Sequence, residues 1–304
     1  MNTPKSQLSV GVIGLGAMGN GMAQSLRRAG YVPYVFDVRA DVAQAFAKGG
    51  GTACASLADL GKSSDVIVSV VVNAAQTESV LFGDSGTDGC VTSMKPGSVF
   101  VMCSTVDPNW SVALEARLAA LDLLYIDAPI SGGAAKAASG QMTMMTAGKP
   151  ESYAIAEPVL NAMAAKVYKL GDSAGAGSKV KIINQLLAGV HIAAAAEAMA
   201  LGLREGVNPD ALYEVITNSA GNSWMFENRM AHVLAADYTP LSAVDIFVKD
   251  LGIVLDMARA TKFPLPLSST AHQMFMQAST AGFAKEDDSA VIKIFPGIEL
   301  PKKK

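Results

Sequence analysis

A glycine-rich turn close to the N-terminus constrains the fold of this chain more than any other feature. An apolar run over residues 10–13 breaks into Gly14-Leu15-Gly16-Ala17-Met18-Gly19 and leads into a helix-like segment, 22–29. In a strand–turn–helix unit of this kind, the first glycine permits the tight turn and the second lets a pyrophosphate reach the backbone. The third glycine lets the helix pack closely on the strand. The pattern therefore predicts a dinucleotide-binding unit, with phosphates at the helix N-terminus.

An acidic residue follows this turn at the spacing that a ribose requires. A second apolar run, 32–36, ends at Asp37, about 20 residues beyond the glycines. A carboxylate there accepts hydrogen bonds from a ribose diol and repels a 2′-phosphate, which favours NAD over NADP. Arg39 lies close enough to weaken that preference. The alternative interpretation is that Asp37 is an ordinary turn acid after a strand.

The bulk composition excludes several classes of protein. The 304 residues carry a net charge of −3, which gives no electrostatic reason to expect a nucleic-acid partner. Three scattered cysteines and three histidines without ligand spacing predict neither a disulfide framework nor a metal site, and they favour a reducing, cytoplasmic location. The most apolar later stretch, 188–203, contains His191 and Glu197 and is too short to span a bilayer, so we expect no membrane association.

The hydrophobic pattern changes character near residue 172. Before that point, β-type apolar runs alternate with helical patterns, which predicts a doubly wound parallel sheet of the Rossmann type over residues 1–172. After it, the pattern is helical only, which predicts an all-α domain over residues 173–304. The predicted strands are 32–36, 66–72, 99–103, 123–127, 142–147 and 167–170, and the predicted later helices are 178–203, 210–218, 223–234, 243–261 and 268–280.

Ligands of open parallel sheets bind beyond the carboxyl ends of the strands, and three polar segments lie there. Val72-Asn73 ends one strand, and Ser104-Thr105 follows the next. The third segment is Asp127-Ala128-Pro129-Ile130-Ser131-Gly132-Gly133. Ser131, Gly132 and Gly133 offer a hydroxyl and unobstructed N–H groups, which suits a small carboxylate. A flexible loop without a ligand is the equal alternative.

The long predicted helix 178–203 carries three polar residues on one face. Lys181, Asn184 and Gln185 stand at positions i, i+3 and i+4 among apolar neighbours, whereas Lys179 points nearly the opposite way. The pattern is equally consistent with a Lys181 that simply reaches solvent. Farther along the chain, Asp245 and Lys249 stand at positions i and i+4, and this pair could be no more than a contact on the helix surface.

These motifs, in this order, resemble the β-hydroxyacid dehydrogenase family, which includes 3-hydroxyisobutyrate dehydrogenase. The resemblance covers nearly the whole chain. The glycine turn resembles the family's cofactor signature, and the segment 127–133 resembles its substrate signature. Gly175-x-Gly177 with Lys181 resembles the catalytic signature, and Lys249-Asp250-Leu251 resembles the C-terminal motif. The family usually has Asn-Asn where this chain has Asn184-Gln185, so the substrate geometry is expected to differ.

The resemblance implies a role for each matched residue. Lys181 would be the catalytic general acid and base in hydride transfer between NAD and a small hydroxy acid. A four-carbon sugar acid oxidised to a 2-oxo acid fits best. The substrate would contact Ser131, Gly132, Gly133, Asn184 and Gln185. The cofactor would contact Gly14, Leu15, Gly16, Ala17, Met18, Gly19, Asp37, Val72, Asn73, Thr105 and Lys249.

Alternatives of other classes stay open at the level of sequence. The substrate could be 3-hydroxyisobutyrate, or tartronate semialdehyde and glycerate. An imine reductase of the same fold is disfavoured by Lys181, and a dinucleotide-binding module without catalysis is disfavoured by the complete set of motifs. The apolar content of the helical half and the family resemblance predict a homodimer or homotetramer.

Overall fold

The computed structural model describes residues 8–84 and 88–303 and divides the chain into two compact units. The first unit extends through Lys181, and the second begins at Ile182, inside one long helix. The predicted division near residue 172 lies just before that helix. We describe each unit by itself.

The first unit alternates strands and helices as the sequence pattern predicts. Its elements are β1 (Val10–Ile13), α1 (Ala17–Arg28), β2 (Tyr34–Phe36), α2 (Ala40–Lys48), β3 (Thr52–Ala53), α3 (Leu57–Ser63), β4 (Val66–Ser69), α4 (Ala74–Phe82), β5 (Val99–Met102), α5 (Pro108–Ala119), β6 (Leu124–Asp127), β7 (Ile130–Ser131), α6 (Gly133–Ser139), β8 (Met142–Gly148), α7 (Pro150–Met163) and β9 (Ala164–Lys169). A short 3₁₀ turn covers Cys90–Thr92.

The described strands form a sheet in the order β3-β2-β1-β4-β5-β6-β8-β7, with β9 paired to β8. Strands β1 to β6 are mutually parallel, which confirms the Rossmann-type fold. The side chains of β1, β4 and β5 are buried on both faces of the sheet. Val12, Val68 and Val101 belong to the core cluster that includes residues of α1, α6 and α7, whereas Ile67 and Phe100 belong to the one with α3, α4 and α5.

The last part of the sheet departs from the parallel arrangement that we expected. Strand β8 runs antiparallel to both β6 and β7. Only the seven-residue helix α6 and two short turns separate β7 from β8. A parallel pair needs a crossover of a dozen or more residues, so this connection is too short for one. The sequence analysis also missed α6 and the two-residue strands β3 and β7.

The second unit is helical. Helix α8 (Ala176–Arg204) starts in the first unit and continues into the second, followed by α9 (Pro209–Thr217), α10 (Trp224–Leu234), α11 (Val244–Ala260) and α12 (Pro266–Ala278), a π-helical turn at Ser279–Phe283 and a 3₁₀ helix at Asp288–Ile294. The core of this unit is made by apolar faces of α8, α10, α11 and α12. Within it, the rings of Phe247 and Phe275 stack with centroids 5.1 Å apart.

Helix α8 is longer than its apolar stretch suggested. With 29 residues, the whole helix is long and apolar enough to cross a bilayer by length and composition alone, although the stretch 188–203 covers only part of it. Half of its most apolar window is nevertheless buried inside the protein. This burial is typical of a core helix in a globular protein.

Candidate active site

The glycine turn between β1 and α1 leaves no room for side chains at two of its three glycines. Gly14 has a φ of +88°, and a Cβ built there would lie 2.6 Å from the Val70 carbonyl oxygen. A Cβ on Gly19 would lie 1.9 Å from the Gly14 carbonyl oxygen. Gly16, the N-cap of α1, is different, because a Cβ there would meet nothing within 4 Å. The open space at Gly16 is where a ligand can approach the backbone.

A cavity of about 420 Å³ adjoins this turn. It is lined by Leu15, Gly16, Ala17, Asn20, Gly21, Gln24, Arg39, Val42, Ala134 and Ala138. The lining joins the start of α1 to the residues that follow β2, which is the place where a dinucleotide fold binds its cofactor.

Asp37 is buried and organises the loops on both sides of it. Its Oδ2 accepts a hydrogen bond of 2.7 Å from the Leu15 backbone N–H, and its Oδ1 accepts one of 2.9 Å from the Arg39 backbone N–H. The Arg39 guanidinium lies 3.1 Å from the same Oδ1. Burial opposes ionisation, but the hydrogen bonds from Arg39 and Leu15 outweigh it and lower the pKa of Asp37. Asp37 is therefore an ionised acceptor beside the glycine turn.

The segments after β4 and β5 lie at the same edge of the sheet. Asn73 is the N-cap of α4, and its Oδ1 accepts a hydrogen bond of 2.8 Å from the Gln76 backbone N–H. Ser104, next to Thr105, donates a hydrogen bond of 2.7 Å to the Val71 carbonyl oxygen. Val72 is exposed and Thr105 is half-buried. The bond from Ser104 to Val71 thus joins the two segments directly, next to Thr105 and Val72.

The loop after β6 has a conformation that requires its glycines. Gly132 has a φ of +136° and Gly133 a φ of +73°, values that other residues rarely adopt. Ser131 ends β7 and Gly133 begins α6, so this chain segment turns sharply between a strand and a helix. The turn leaves Ser131 and Gly132 only half-buried.

Asp127, at the end of β6, holds the start of α8. Its Oδ2 accepts hydrogen bonds of 2.9 Å from the backbone N–H groups of Gly175 and Ser178, and its Oδ1 accepts one of 2.7 Å from the Ser178 hydroxyl. Burial raises the pKa of Asp127, although the bonds from Ser178 and Gly175 work in the opposite direction. Lys181 lies one helical turn beyond Ser178 and is only 7% exposed, whereas Lys179 is exposed.

In the second unit, a hydrogen-bonded chain connects three of the predicted residues through Asp250. The Asn184 amide donates to Gln185 Oε1 at 3.1 Å, and the Gln185 amide donates to Asp250 Oδ2 at 2.5 Å. The Lys249 ammonium lies 2.5 Å from Asp250 Oδ1. Asp250 is buried and Asn184 is half-buried, so Asn184 is the more accessible end of the chain.

Sequence reasoning missed the structural roles of Asp127 and Asp250, although both stand inside motifs that it singled out. The bonds from Asp127 and Asp250 cross 51 and 65 residues of chain. Neither local periodicity nor spacing reports such contacts. The spacing suggested a pair of Lys249 with Asp245, and the structure shows a pair of Lys249 with its neighbour Asp250. Among residues 8–84 and 88–303, the structure contains no cluster of His, Cys, Asp and Glu side chains suited to a metal ion.

Comparison with known proteins identifies both units. Residues 9–171 match the family described as the NAD binding domain of 6-phosphogluconate dehydrogenase. Residues 175–295 match the family described as NAD-binding of NADP-dependent 3-hydroxyisobutyrate dehydrogenase.

Curated relatives match the chain over nearly its full length. L-threonate dehydrogenase from Cupriavidus necator is 68% identical over 97% of this chain and 98% of its own. The protein of the same name from Escherichia coli K12 is 52% identical over 97% of each chain. A solved structure called 3-hydroxyisobutyrate dehydrogenase, from Salmonella typhimurium, is 53% identical, covers 95% of this chain and 100% of its own, and superposes with a TM-score of 0.91.

The fold, the glycine turn and the acid after β2 define an oxidoreductase that binds NAD(P). Within that class, the chain belongs to the 3-hydroxyisobutyrate dehydrogenase-like family of β-hydroxyacid dehydrogenases. The resemblance seen in the sequence is thereby confirmed, as is the expectation of an NAD(P)-dependent enzyme that acts on a hydroxy acid. The roles of individual site residues stay predictions.

Proposed function

We propose that this enzyme oxidises L-threonate, or a closely similar four-carbon sugar acid, to a 2-oxo acid with NAD. The observation that carries the hydride-transfer proposal is Lys181, an amine that is almost fully buried and projects from the anchored start of α8. The choice of substrate is supported by relatives of 51–68% identity that bear the name L-threonate dehydrogenase. It comes to this chain by that similarity.

In this proposal the glycine turn and Asp37 select the cofactor. Gly14, Leu15, Gly16, Ala17, Met18 and Gly19 hold the pyrophosphate of NAD against the start of α1. Asp37 accepts the ribose hydroxyls, because its lowered pKa keeps it ionised. Val72, Asn73, Thr105 and Lys249 complete the cofactor contacts. When bound, NAD supplies the hydride acceptor.

The substrate residues have separate tasks. Ser131, Gly132 and Gly133 bind the carboxylate through a hydroxyl and N–H groups, and Asn184 and Gln185 orient the hydroxyl groups. Lys181 accepts the proton of the reacting hydroxyl while its carbon loses a hydride, and it returns a proton in the reverse direction. A lysine has to be neutral for the first role, and burial favours the neutral amine.

Replacement of Lys181 tests the mechanism. We expect Lys181→Ala to lose turnover by at least about 100-fold, since a general acid–base contributes roughly 10²–10⁴-fold in rate. NAD affinity, measured by calorimetry, should stay near that of the wild type. Lys179→Ala is the matched control, because this exposed lysine lies two residues away on the same helix. Near-normal turnover of Lys181→Ala would refute the proposed role.

A substrate screen tests the specificity. Initial rates with L-threonate, erythronate, glycerate and 3-hydroxyisobutyrate, each with NAD and NADP, should give the highest kcat/KM for L-threonate with NAD. 3-Hydroxyisobutyrate is the second candidate, because the 53% identical Salmonella structure is called 3-hydroxyisobutyrate dehydrogenase. A higher kcat/KM for that acid would replace the first candidate, and a clear preference for NADP would contradict the role of Asp37.

We also propose a cytoplasmic homodimer or homotetramer. Free Cys54, Cys90 and Cys103 are consistent with a reducing compartment. Helix α8 exposes Ile183 and Leu187, at 54% and 52%, and a second copy of the chain would cover such side chains. Light scattering across a concentration series tests the assembly, and a monomer at all concentrations would refute it.

A further inference from the structure

We propose that Asp127 is the positioning residue for Lys181, because its carboxylate fixes the first turn of the helix that carries the lysine. The proposal rests on the role assigned to Lys181 above. All the contacts that support it lie within the first compact unit.

The first N–H groups of α8 find their acceptor outside the helix. The first N–H groups of any helix have no partner inside the helix and need an acceptor elsewhere. Helix α8 begins at Ala176, and Asp127 accepts the N–H groups of Gly175 and Ser178 together with the Ser178 hydroxyl. An acceptor from β6, about 50 residues earlier in the chain, thus does the work that a local N-cap side chain usually does.

The same helix turn also lies very close to the sheet. A Cβ on Gly177 would lie 2.4 Å from the Met145 carbonyl oxygen, 2.9 Å from the Asp127 carbonyl oxygen and 3.2 Å from Asp127 Oδ2. The backbone of α8 therefore packs directly on the end of β6 and on the middle of β8. Gly175, just before the helix, has a φ of +99°. The close packing and the hydrogen bonds together fix the position of this turn on the sheet.

The fixed turn and Lys181 belong to the same face of α8. Ser178 and Lys181 are three residues apart, so their side chains project from the same face of α8, with Cβ atoms roughly 5–6 Å apart. The hydroxyl of Ser178 is held by Asp127, and Lys181 is buried one turn farther on. A shift of the capped turn would carry the Lys181 amine with it.

The same residue also begins the loop that is proposed to bind the substrate carboxylate. Asp127 ends β6, and Ser131 follows four residues later. The backbone of Asp127 thus leads into the carboxylate loop while its side chain holds the lysine helix. One residue sets both ends of the distance between the substrate's carboxylate and its reacting hydroxyl.

Two substitutions at Asp127 separate positioning from mere presence of a charge. Asp127→Ala removes all three acceptor contacts, and we expect kcat to fall about 100-fold, since a misplacement near 1 Å can cost that much. Asp127→Asn keeps an oxygen for the two N–H groups, and its amide can donate to a turned Ser178 hydroxyl. It should retain kcat within about tenfold of the wild type and so rescue the alanine variant, because the bonds and not the charge do the positioning. Ser56→Ala, which removes the cap of α3, is the control for loss of a helix cap elsewhere.

A chemical readout follows the lysine without using activity. Trace acetylation, quantified by mass spectrometry, compares Lys181 with the exposed Lys179 in the same protein. Lys181 should react severalfold faster relative to Lys179 in Asp127→Ala than in the wild type or in Asp127→Asn. NAD affinity should be unchanged in all three, which shows that the dinucleotide unit is intact.

The outcomes discriminate between the proposals. Unchanged kcat and unchanged Lys181 labelling in Asp127→Ala would overturn the positioning role. If that variant fails to fold, Gly177→Ala displaces the same turn by a different contact, and it should show the same loss of kcat and gain of labelling or overturn the proposal. Retained turnover in Lys181→Ala would instead refute the proposed function, while the labelling result would still report whether Asp127 holds the lysine.

Discussion

Two buried carboxylates, one in each unit, accept hydrogen bonds that hold their surroundings in place, but their donors differ in charge. Asp127 accepts hydrogen bonds from uncharged donors, among them two backbone N–H groups and the Ser178 hydroxyl. Asp250 has a charged partner, the Lys249 ammonium, in addition to the Gln185 amide. The first carboxylate fixes backbone and the second fixes side chains. Because Coulomb attraction to the Lys249 ammonium adds to the hydrogen bonds of Asp250, the two sites should respond differently to the same substitutions.

The largest difference is expected for truncation to alanine. Asp250→Ala removes one acceptor from both the Lys249 ammonium and the Gln185 amide, and we expect it to cost about 3 kcal/mol of unfolding free energy. Asp127→Ala strands only neutral donors and should cost about 2 kcal/mol. Urea unfolding of both variants measures the two values. A smaller loss for Asp250→Ala than for Asp127→Ala would reverse the comparison.

Replacement by asparagine sharpens the contrast. An amide at position 250 cannot accept from both Lys249 and Gln185 without turning one N–H group towards a donor, so Asp250→Asn should still cost about 2 kcal/mol. Asp127→Asn should cost about 1 kcal/mol or less, because the Ser178 hydroxyl can reverse its role from donor to acceptor. Thermal unfolding checks both variants in one buffer, and equal losses would show that the partner charge is irrelevant.

A change of length in the amide chain has a smaller effect. Gln185→Asn restores the Asn-Asn pair common in the family but shortens the side chain by one methylene, so its amide no longer reaches Asp250. We expect a loss of about 1 kcal/mol in stability and a higher KM for the hydroxy acid at unchanged NAD affinity. Gln185→Glu, which keeps the length and removes the amide donor, is the partner variant. An unaltered KM in both would separate Gln185 from substrate binding.

The smallest expected effect is a dependence on pH. Burial raises the pKa of Asp127 above that of an unfolded aspartate. Between these two pKa values the folded protein holds a proton that the unfolded chain has lost, so unfolding free energy falls as pH rises through this window. Above the folded pKa the loss is complete. Asp127→Asn should lose this slope in urea titrations from about pH 3.8 upward. If unfolding free energy fell more steeply with pH in Asp127→Asn than in the wild type, the prediction would be contradicted.

The sequence predicts the elements that depend on local pattern. The glycine turn, its strand and its helix follow from steric requirements that Gly14 and Gly19 meet in the structure. The opposite orientations of Lys181 and Lys179 follow from helical periodicity, whereas the burial of Lys181 was one of two alternatives that the pattern left open. The antiparallel strand β8 did not follow, because its direction depends on the short connection through α6, a helix that the sequence analysis missed.

The candidate site was predictable as a set of segments and not as a network. Asn184 and Gln185 share a helix face by spacing alone, but the bond from Gln185 to Asp250 joins helices whose register no local pattern determines. The bonds from Asp127 to Gly175 and Ser178 likewise depend on where α8 packs on the sheet. Tertiary packing decides such contacts, and it does so through residues far apart in the chain.

The position of Asp37 limits how the cofactor preference of this enzyme could be altered. Its carboxylate holds the Leu15 N–H as well as both the backbone and side chain of Arg39. An engineer who replaces this acid to admit a 2′-phosphate would also release the glycine turn that is proposed to hold the pyrophosphate. Redesign would therefore also have to supply a new acceptor for the Leu15 N–H, whereas the exposed Val38 side chain can be changed without that requirement.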